Sequence, residues 1–351
     1  MPDPRFLVVR LGSLGDIVHT FPAVSALRQS FPYAEIIWLT HPRWKTLVAS
    51  STLASQIWTA DSRALPSLRN ALEKIRSAHF DAAIDYQGLW KSASLPFLAG
   101  VKKRIGFSSA SVREFGVPLL YTEKVSAASA HIADQNGELT LRAGASVAVA
   151  NFTLQLPPGS EAAHESFSAT GNLSRYVVLS PGGGWRSKCW PPERYGALCA
   201  MIRAELDFRC VVNCGPGEDD LAAAVKAASG TADPILYNGD LAPLMAVLQN
   251  ATCIVGGDTG PLHLAIALGV PAVAIFGPTD PSRNGPYHPP NISSSETRSG
   301  NIVSPAPRDI VLRAPNVATT HARGAAPHPS LLTVTVETVF QAVTQILKAQ
   351  A

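Results

Sequence analysis

Cys253-Ile254-Val255-Gly256-Gly257-Asp258-Thr259-Gly260-Pro261-Leu262-His263-Leu264-Ala265 is the stretch on which the reading of this chain turns. Its first three residues form a short apolar run and read as a buried strand. Gly256 and Gly257 then free the backbone to turn. Asp258 or Thr259 caps the helix that follows, and Pro261 falls in its first turn, where a missing N–H costs nothing. Gly269 closes that helix, and Ala272–Phe276 reads as the next buried strand. A helix opened at the carboxyl end of a strand turns free N–H groups towards a crevice, which suits a phosphorylated ligand. Asp258 itself would repel phosphate, so its fitting role is to accept hydrogen bonds from sugar hydroxyls. Taken singly, Asp258 is a cap and His263 a half-buried helical residue. Packed together with Thr259, Gly260 and Pro261, they read as a site.

The same grammar extends outward. Upstream, Tyr176–Leu179 is a strand feeding Pro181-Gly182-Gly183-Gly184, and a helix is expected over about Pro192–Leu206. Val211-Val212-Asn213, a helix after Glu218, the strand Ile235-Leu236-Tyr237 and a helix over Leu241–Asn250 continue it. The first half repeats the scheme, with strands at Phe6–Val9, Ile36–Leu39 and Ala82–Asp85. Helices are expected there over Pro22–Ser30, Leu65–Ala78, Lys91–Leu98 and His131–Arg142. Strands alternating with helices at this spacing predict α/β architecture with parallel, doubly wound sheets. Pro157-Pro158-Gly159-Ser160 reads as the end of the first domain, giving domains over 1–160 and 161–330 and a terminal helix within 331–351. Gly285–Ser330, rich in Pro and Ser, reads as an irregular and partly mobile loop.

Bulk properties limit the classes open to the chain. Its 351 residues suffice for two domains with full cores. Hydrophobic content of 46% with 16% charged residues describes a globular protein, not a disordered one. No apolar run reaches the roughly 18 residues of a membrane span, and Met1-Pro2-Asp3-Pro4-Arg5 lacks a signal-peptide pattern. Cytoplasmic residence is the expectation. The five cysteines are odd in number and lack C-x-x-C spacing, so buried reduced thiols are expected. Residues 1–160 carry 16 Lys+Arg against 11 Asp+Glu, giving +5, and residues 161–351 carry 13 against 15, giving −2. A basic half beside a mildly acidic one hints at different partners for the two.

Three further residues bear chemistry. Asp16 follows the first strand and a Gly12-x-x-Gly15 turn, where open α/β sheets place ligands; a plain helix cap is the alternative. The turn is neither G-x-G-x-x-G nor a Walker loop. Lys188 follows the glycines 182–184, whose backbone N–H groups can approach a ligand, and its compact ammonium suits a diphosphate. A solvated lysine on a flexible turn is the other reading. Glu218, in Gly215-Pro216-Gly217-Glu218-Asp219-Asp220, either holds ribose hydroxyls or favours the positive end of the next helix, and Asp219 competes for the same role. No Asp-x-Asp metal motif is evident.

Asp258-Thr259-Gly260-x-x-His263 with Phe276-Gly277-Pro278-Thr279-Asp280-Pro281 resembles the C-terminal signature of the ADP-heptose:lipopolysaccharide heptosyltransferases, glycosyltransferase family nine. Gly15-Asp16-Ile17-Val18-His19-Thr20-x-Pro22 and Lys188-x-Trp190-Pro191 continue that resemblance. Phe80–Ala93, with Arg104-Ile105-Gly106-Phe107 and Arg113-Glu114 after it, is similar to heptosyltransferase I. The resemblance implies a GT-B architecture, two Rossmann-like domains facing a central cleft, with acceptor on the first and nucleotide sugar on the second. It implies inverting transfer of a heptose from ADP-heptose to the Kdo/inner-core region of a lipopolysaccharide precursor. Asp16 would be the catalytic base and Lys188 would stabilise the departing nucleotide. Gly183, Gly184, Glu218, Asp258, Thr259, Gly260 and His263 would bind the donor; Ser13, Gly15, Gln87, Lys91 and Arg113 would bind the acceptor. Hydroxyl residues frequent in relatives at positions 183 and 184 are absent, leaving backbone donors alone. His131 is expected to be structural.

No metal, cofactor or nucleic acid is expected. The partners implied are a nucleotide-sugar donor, an anionic lipid-linked or Kdo-containing acceptor and, peripherally, the membrane. Transfer of another nucleotide sugar such as a UDP-hexose, a nucleotide-sugar epimerase of the same architecture, and a non-catalytic binding protein are the rival readings. The joint presence of Asp16, Lys188 and Asp258 argues against the last.

Overall fold

The computed structural model describes residues 3–290, 309–320 and 322–350. The described residues form two units, one over 3–155 with 288–290 and the other over 156–287 with 309–320 and 322–350. Each is built on a six-stranded sheet in which every pairing is parallel.

In the first unit the strands are β1 (Arg5–Val9), β2 (Glu35–Thr40), β3 (Gln56–Thr59), β4 (Ala82–Asp85), β5 (Arg104–Phe107) and β6 (Glu123–Val125). In the second they are β7 (Tyr176–Ser180), β8 (Arg209–Asn213), β9 (Ile235–Tyr237), β10 (Cys253–Gly257), β11 (Ala272–Phe276) and β12 (Ile310–Arg313). The orders are β3-β2-β1-β4-β5-β6 and β12-β11-β10-β7-β8-β9. Counted from the first strand of each unit, both are the doubly wound order 3-2-1-4-5-6. The order reverses between β1 and β4 in one sheet and between β7 and β10 in the other. Loops leaving those four carboxyl ends diverge and leave a crevice, which is where such sheets take ligands.

Central strands are apolar on both faces because helices cover both. Phe6, Leu7, Val8 and Val9 are all buried, as are Ile254, Val255, Val273 and Ile275. The helix Val336–Lys348 places Val339, Phe340, Val343, Ile346 and Leu347 in the second unit's main cluster, so the terminal helix is part of that unit's core. The helices Pro192–Leu206 and Asp219–Ala228 meet at Gly196, where a β-carbon would lie 2.6 Å from the Val225 carbonyl. All five cysteines are free and buried.

The stretch Gly285–Ser330 departs from its expected irregularity. Ile310–Arg313 forms the edge strand β12, paired with β11 from Val273↔Ile310 to Phe276↔Arg313. Hydrogen bonding along a buried neighbour supplies the order that local periodicity does not announce. Residues 291–308 of that stretch lie outside the described residues. After β12 the chain returns to the turn that bears Lys188. Ser187 Oγ donates to the Ala322 carbonyl at 3.0 Å, and the His328 N–H donates to the Ser187 carbonyl at 3.2 Å. The short strands β3 and β6, at the margins of the first sheet, also lack a distinct sequence pattern. Among the described residues, no helix is long and apolar enough to cross a membrane.

Candidate active site

In the first unit, the loop after β1 carries Asp16 on the short helix Leu14–Val18. The carboxylate is held from two sides. Arg10, at the end of the strand, pairs with Oδ1 at 2.7 Å. Ser13 donates to Oδ2 through its backbone N–H at 3.0 Å and its hydroxyl at 2.9 Å. Arg10 is itself buried and its guanidinium also donates to the Tyr86 carbonyl, so it ties the β1 loop to the β4 loop across the switch point. Burial would raise the Asp16 pKa, but the Arg10 charge, the Ser13 hydrogen bonds and the more distant charge of Arg113 outweigh it and hold it below the ordinary carboxylate value. The Asp16 side chain nevertheless remains 45% exposed, so an ionised carboxylate is presented to incoming substrate.

The β4 loop has its own buried carboxylate. Asp85 accepts from Tyr121 at 2.7 Å, Ser92 at 2.8 Å and the Gln87 and Gly88 N–H groups at 2.9 and 3.3 Å. This network shapes the loop that carries Gln87. The Gln87 side chain accepts from the Leu11 N–H at 2.7 Å, so in this structure it bonds the β1 loop and not a free ligand position. Lys91 and Arg113 are exposed, on the helix Trp90–Leu98 and the loop after β5 respectively. His131 caps the helix Ile132–Arg142, its Nδ1 accepting from the Ala133 N–H at 3.1 Å.

In the second unit the β7 and β10 loops converge. Lys188 Nζ pairs with Asp258 Oδ2 at 2.8 Å, and His263 Nε2 lies 3.1 Å from Asp258 Oδ1. Asp258, Thr259 and His263 are all buried. Burial would push the Asp258 pKa up; the hydrogen bond from His263 and the Lys188 ammonium reverse this and hold it well below the usual carboxylate range. Thr259, not Asp258, is the cap of the helix Gly260–Ala267, its hydroxyl accepting from the Leu262 N–H at 3.4 Å. The cap position leaves the Asp258 carboxylate free to face Lys188. Trp185 lies against the same lysine, with Nζ 4.6 Å from the ring centroid.

Glu218 stands at the N-cap of the next helix and makes contacts that neither sequence reading included. Its carboxylate accepts from the Gly215 N–H at 2.7 Å and the Gly183 N–H at 3.2 Å, locking the β8 loop to the glycine loop. Both its oxygens are thus occupied, and the Gly183 donor expected for a ligand is taken as well. A β-carbon at Gly182 would collide with that carboxylate, so glycine there makes room for the lock. Glu218 precedes the helix Asp219–Ala228, and Asp219 is its first residue.

Two residues central to this geometry carried no signal of their own. Arg10 is a charged residue closing an apolar strand, and Asp85 a lone carboxylate ending another; a polar residue at the carboxyl end of a central strand was the available clue.

Two parallel doubly wound sheets, each with a polar cluster at its switch point, have the GT-B architecture of the solved heptosyltransferases. Residues 68–303 match glycosyltransferase family 9 (heptosyltransferase), and the chain belongs to that family. Among curated relatives, lipopolysaccharide heptosyltransferase 1 of Pseudomonas aeruginosa is 28% identical, the match covering 81% of each chain. The corresponding protein of Escherichia coli K12 is 27% identical over 81% of this chain and 91% of its own. A family 9 glycosyl transferase from Veillonella parvula shares the fold with a TM-score of 0.82 at 19% identity, over 99% of this chain and 98% of its own. An E. coli heptosyltransferase solved with ADP gives 0.71 at 24% identity, over 97% and 99%.

Proposed function

We propose that the protein transfers a heptose, with inversion, from ADP-heptose to the Kdo/inner-core region of a lipopolysaccharide precursor. Family membership and relatives named lipopolysaccharide heptosyltransferases support the reaction. The observation that carries the assignment of roles is the pairing of Lys188 with Asp258 beside His263, at the crevice of the second sheet.

In this reading Asp16 takes the proton of the acceptor hydroxyl as that oxygen attacks the anomeric carbon and the bond to the β-phosphate oxygen breaks. A carboxylate held this acidic is fully ionised at neutral pH. The hydroxyl grows more acidic as its bond to carbon forms, so a late transfer to a weak base is enough. Lys188 offsets the charge growing on the departing ADP, helped by backbone donors of the glycine loop. Asp258 accepts from hydroxyls of the sugar and, through its ion pair, aims the ammonium. Glu218 reaches the ribose only by giving up the Gly183 and Gly215 N–H groups, which then become available to phosphate. No metal takes part. The protein works in the cytoplasm and meets its lipid-linked acceptor at the membrane surface without crossing it.

A panel of ADP- and UDP-sugars with delipidated Kdo acceptor, scored for nucleotide release, tests this. ADP-heptose alone should release nucleotide, and only with acceptor present. Preference for a UDP-sugar would overturn the donor assignment, and sugar conversion without acceptor would point to an epimerase.

A further inference from the structure

Eleven large apolar side chains are exposed among the described residues; Tyr33, Leu65, Leu141, Leu236, Val311 and Leu332 lie singly in different elements, and the other five are grouped. Among the described residues, Trp90, Phe97, Leu98, Phe115 and Leu119 are exposed, and all five come from the helix Trp90–Leu98 and the segment between β5 and β6. They form one surface. Trp90 Nε1 donates to the Phe115 carbonyl at 3.2 Å, and the Trp90 N–H donates to Glu114 at 2.7 Å. The Arg104 guanidinium lies 5.3 Å from the Phe97 ring centroid and donates to the Leu120 carbonyl at 2.7 Å. Beneath them Ala93, Val117 and Tyr121 pack as a small buried cluster that fixes the helix to the turn. Phe115 is 98% exposed and Leu119 76%. One exposed leucine needs no explanation, but a Trp, two Phe and two Leu on one face mark an interaction surface.

The surrounding charge selects the partner. Residues 86–125 contain Lys91, Lys102, Lys103, Arg104, Arg113 and Lys124 against only Glu114 and Glu123. Both carboxylates are engaged, Glu114 by the Trp90 N–H and Glu123 by Lys103 at 3.6 Å and Arg142 at 2.6 Å. Exposed aromatics inside a lysine-rich rim are what an anionic bilayer takes. Aromatic rings settle at the headgroup level, lysine stems lie along the apolar layer, and the ammonium groups stay with phosphate. A protein interface core, by contrast, is depleted in lysine. Placement agrees with this choice. Trp90 and Phe115 follow the carboxyl ends of β4 and β5, the same edge of the sheet from which the Asp16 loop emerges, and Phe97, Leu98 and Leu119 continue the face towards the amino ends of β5 and β6. The charge of Arg113, two residues before Phe115, is felt at Asp16.

We propose that the face formed by Trp90, Phe97, Leu98, Phe115 and Leu119 docks the protein onto an anionic lipid bilayer, setting the Asp16 loop at the height of a lipid-linked sugar. The surface itself follows from exposure and charge; its purpose rests on the reaction proposed above.

Flotation with vesicles of equimolar phosphatidylglycerol and phosphatidylcholine, against phosphatidylcholine alone, tests it. The wild-type chain should float with the anionic vesicles only, and less as salt is added. The double variant F115E/L119E should partition about tenfold less or weaker still, while Tyr33→Glu, an exposed aromatic before β2 and so on the far side of β1 and β4 from β5 and β6, should behave as wild type. Phe115→Ser alone, at a side chain with no packing to lose, gives the same reading should the double variant not fold. Turnover on delipidated acceptor should be unchanged in F115E/L119E and should fall on acceptor embedded in vesicles. Wild-type chain that ignores anionic vesicles, or patch variants that float as well as wild type, would overturn the proposal. So would a patch whose substitution dissolves a dimer and leaves flotation untouched. Absence of nucleotide release from any donor would instead sink the reaction and leave the flotation result standing.

Discussion

Asp16 is the residue on which turnover depends in the proposed reaction, and its environment sets what its loss should look like. Asparagine keeps one acceptor oxygen for Ser13 but cannot take a proton. Asp16→Asn should therefore lower kcat by about 10²–10⁴-fold with donor KM nearly unchanged, measured as ADP release. Wild-type turnover in that variant would remove the residue from the base role. Arg10 acts through Asp16. Burial raises the Asp16 pKa, and Arg10 with Ser13 brings it below its ordinary value of 3.8. Removing the guanidinium takes away a lowering influence, so the pKa rises and the carboxylate stays protonated to higher pH. In Arg10→Met the acidic limb of the kcat/KM profile should move to higher pH, with Arg10→Lys between it and wild type. A limb that stays in place would leave Arg10 with a purely structural part. Sequence alone did not separate Asp258 from Thr259 as the helix cap. A cap is defined by which oxygen reaches the Leu262 N–H, a matter of backbone angle that residue identity leaves open.

At the scale of elements, the buried strands and longer helices were legible because their apolar periodicity is strong. The strand β12 was not, since four residues in a Pro- and Ser-rich stretch pair with β11 only because the chain has already folded. The Glu218 lock shows the same dependence. Its partners, the Gly183 and Gly215 N–H groups, lie on two different loops that only the β7–β8 pairing brings together. Helix packing gives a direct check on this level. Gly196 lets the helices Pro192–Leu206 and Asp219–Ala228 close to backbone contact, with a β-carbon there 2.5 Å from the Ala228 β-carbon. Leucine would force them apart, and Gly196→Leu should cost about 1–3 kcal/mol of stability, read as a lowered urea midpoint. An unchanged midpoint would mean that the pair can slide without loss.

For the whole molecule, one topology used twice provides two ligand crevices, one beside a carboxylate fit to accept a proton and one beside a cation fit to meet a diphosphate. That division of labour asks nothing of a metal. Product formation should be undiminished in EDTA; loss of activity restored by added Mg²⁺ would contradict the proposed mechanism. The proposed bilayer docking gives the basic half a use that charge counting only hinted at. The +5 of residues 1–160 is a bulk number, whereas the exposed face around Phe115 localises it next to apolar side chains.

Sequence by itself determined the two α/β halves, their motif order and the family, because hydrophobic period and local turn chemistry are written in neighbouring residues. Only the tertiary structure decided the partners: Arg10 on Asp16, Lys188 on Asp258, Glu218 on the glycine loop, Gln87 on the Leu11 N–H. All but the Arg10–Asp16 pair join loops from different strands, and the distance between such loops is fixed by sheet pairing, a long-range property that no local stretch of residues encodes.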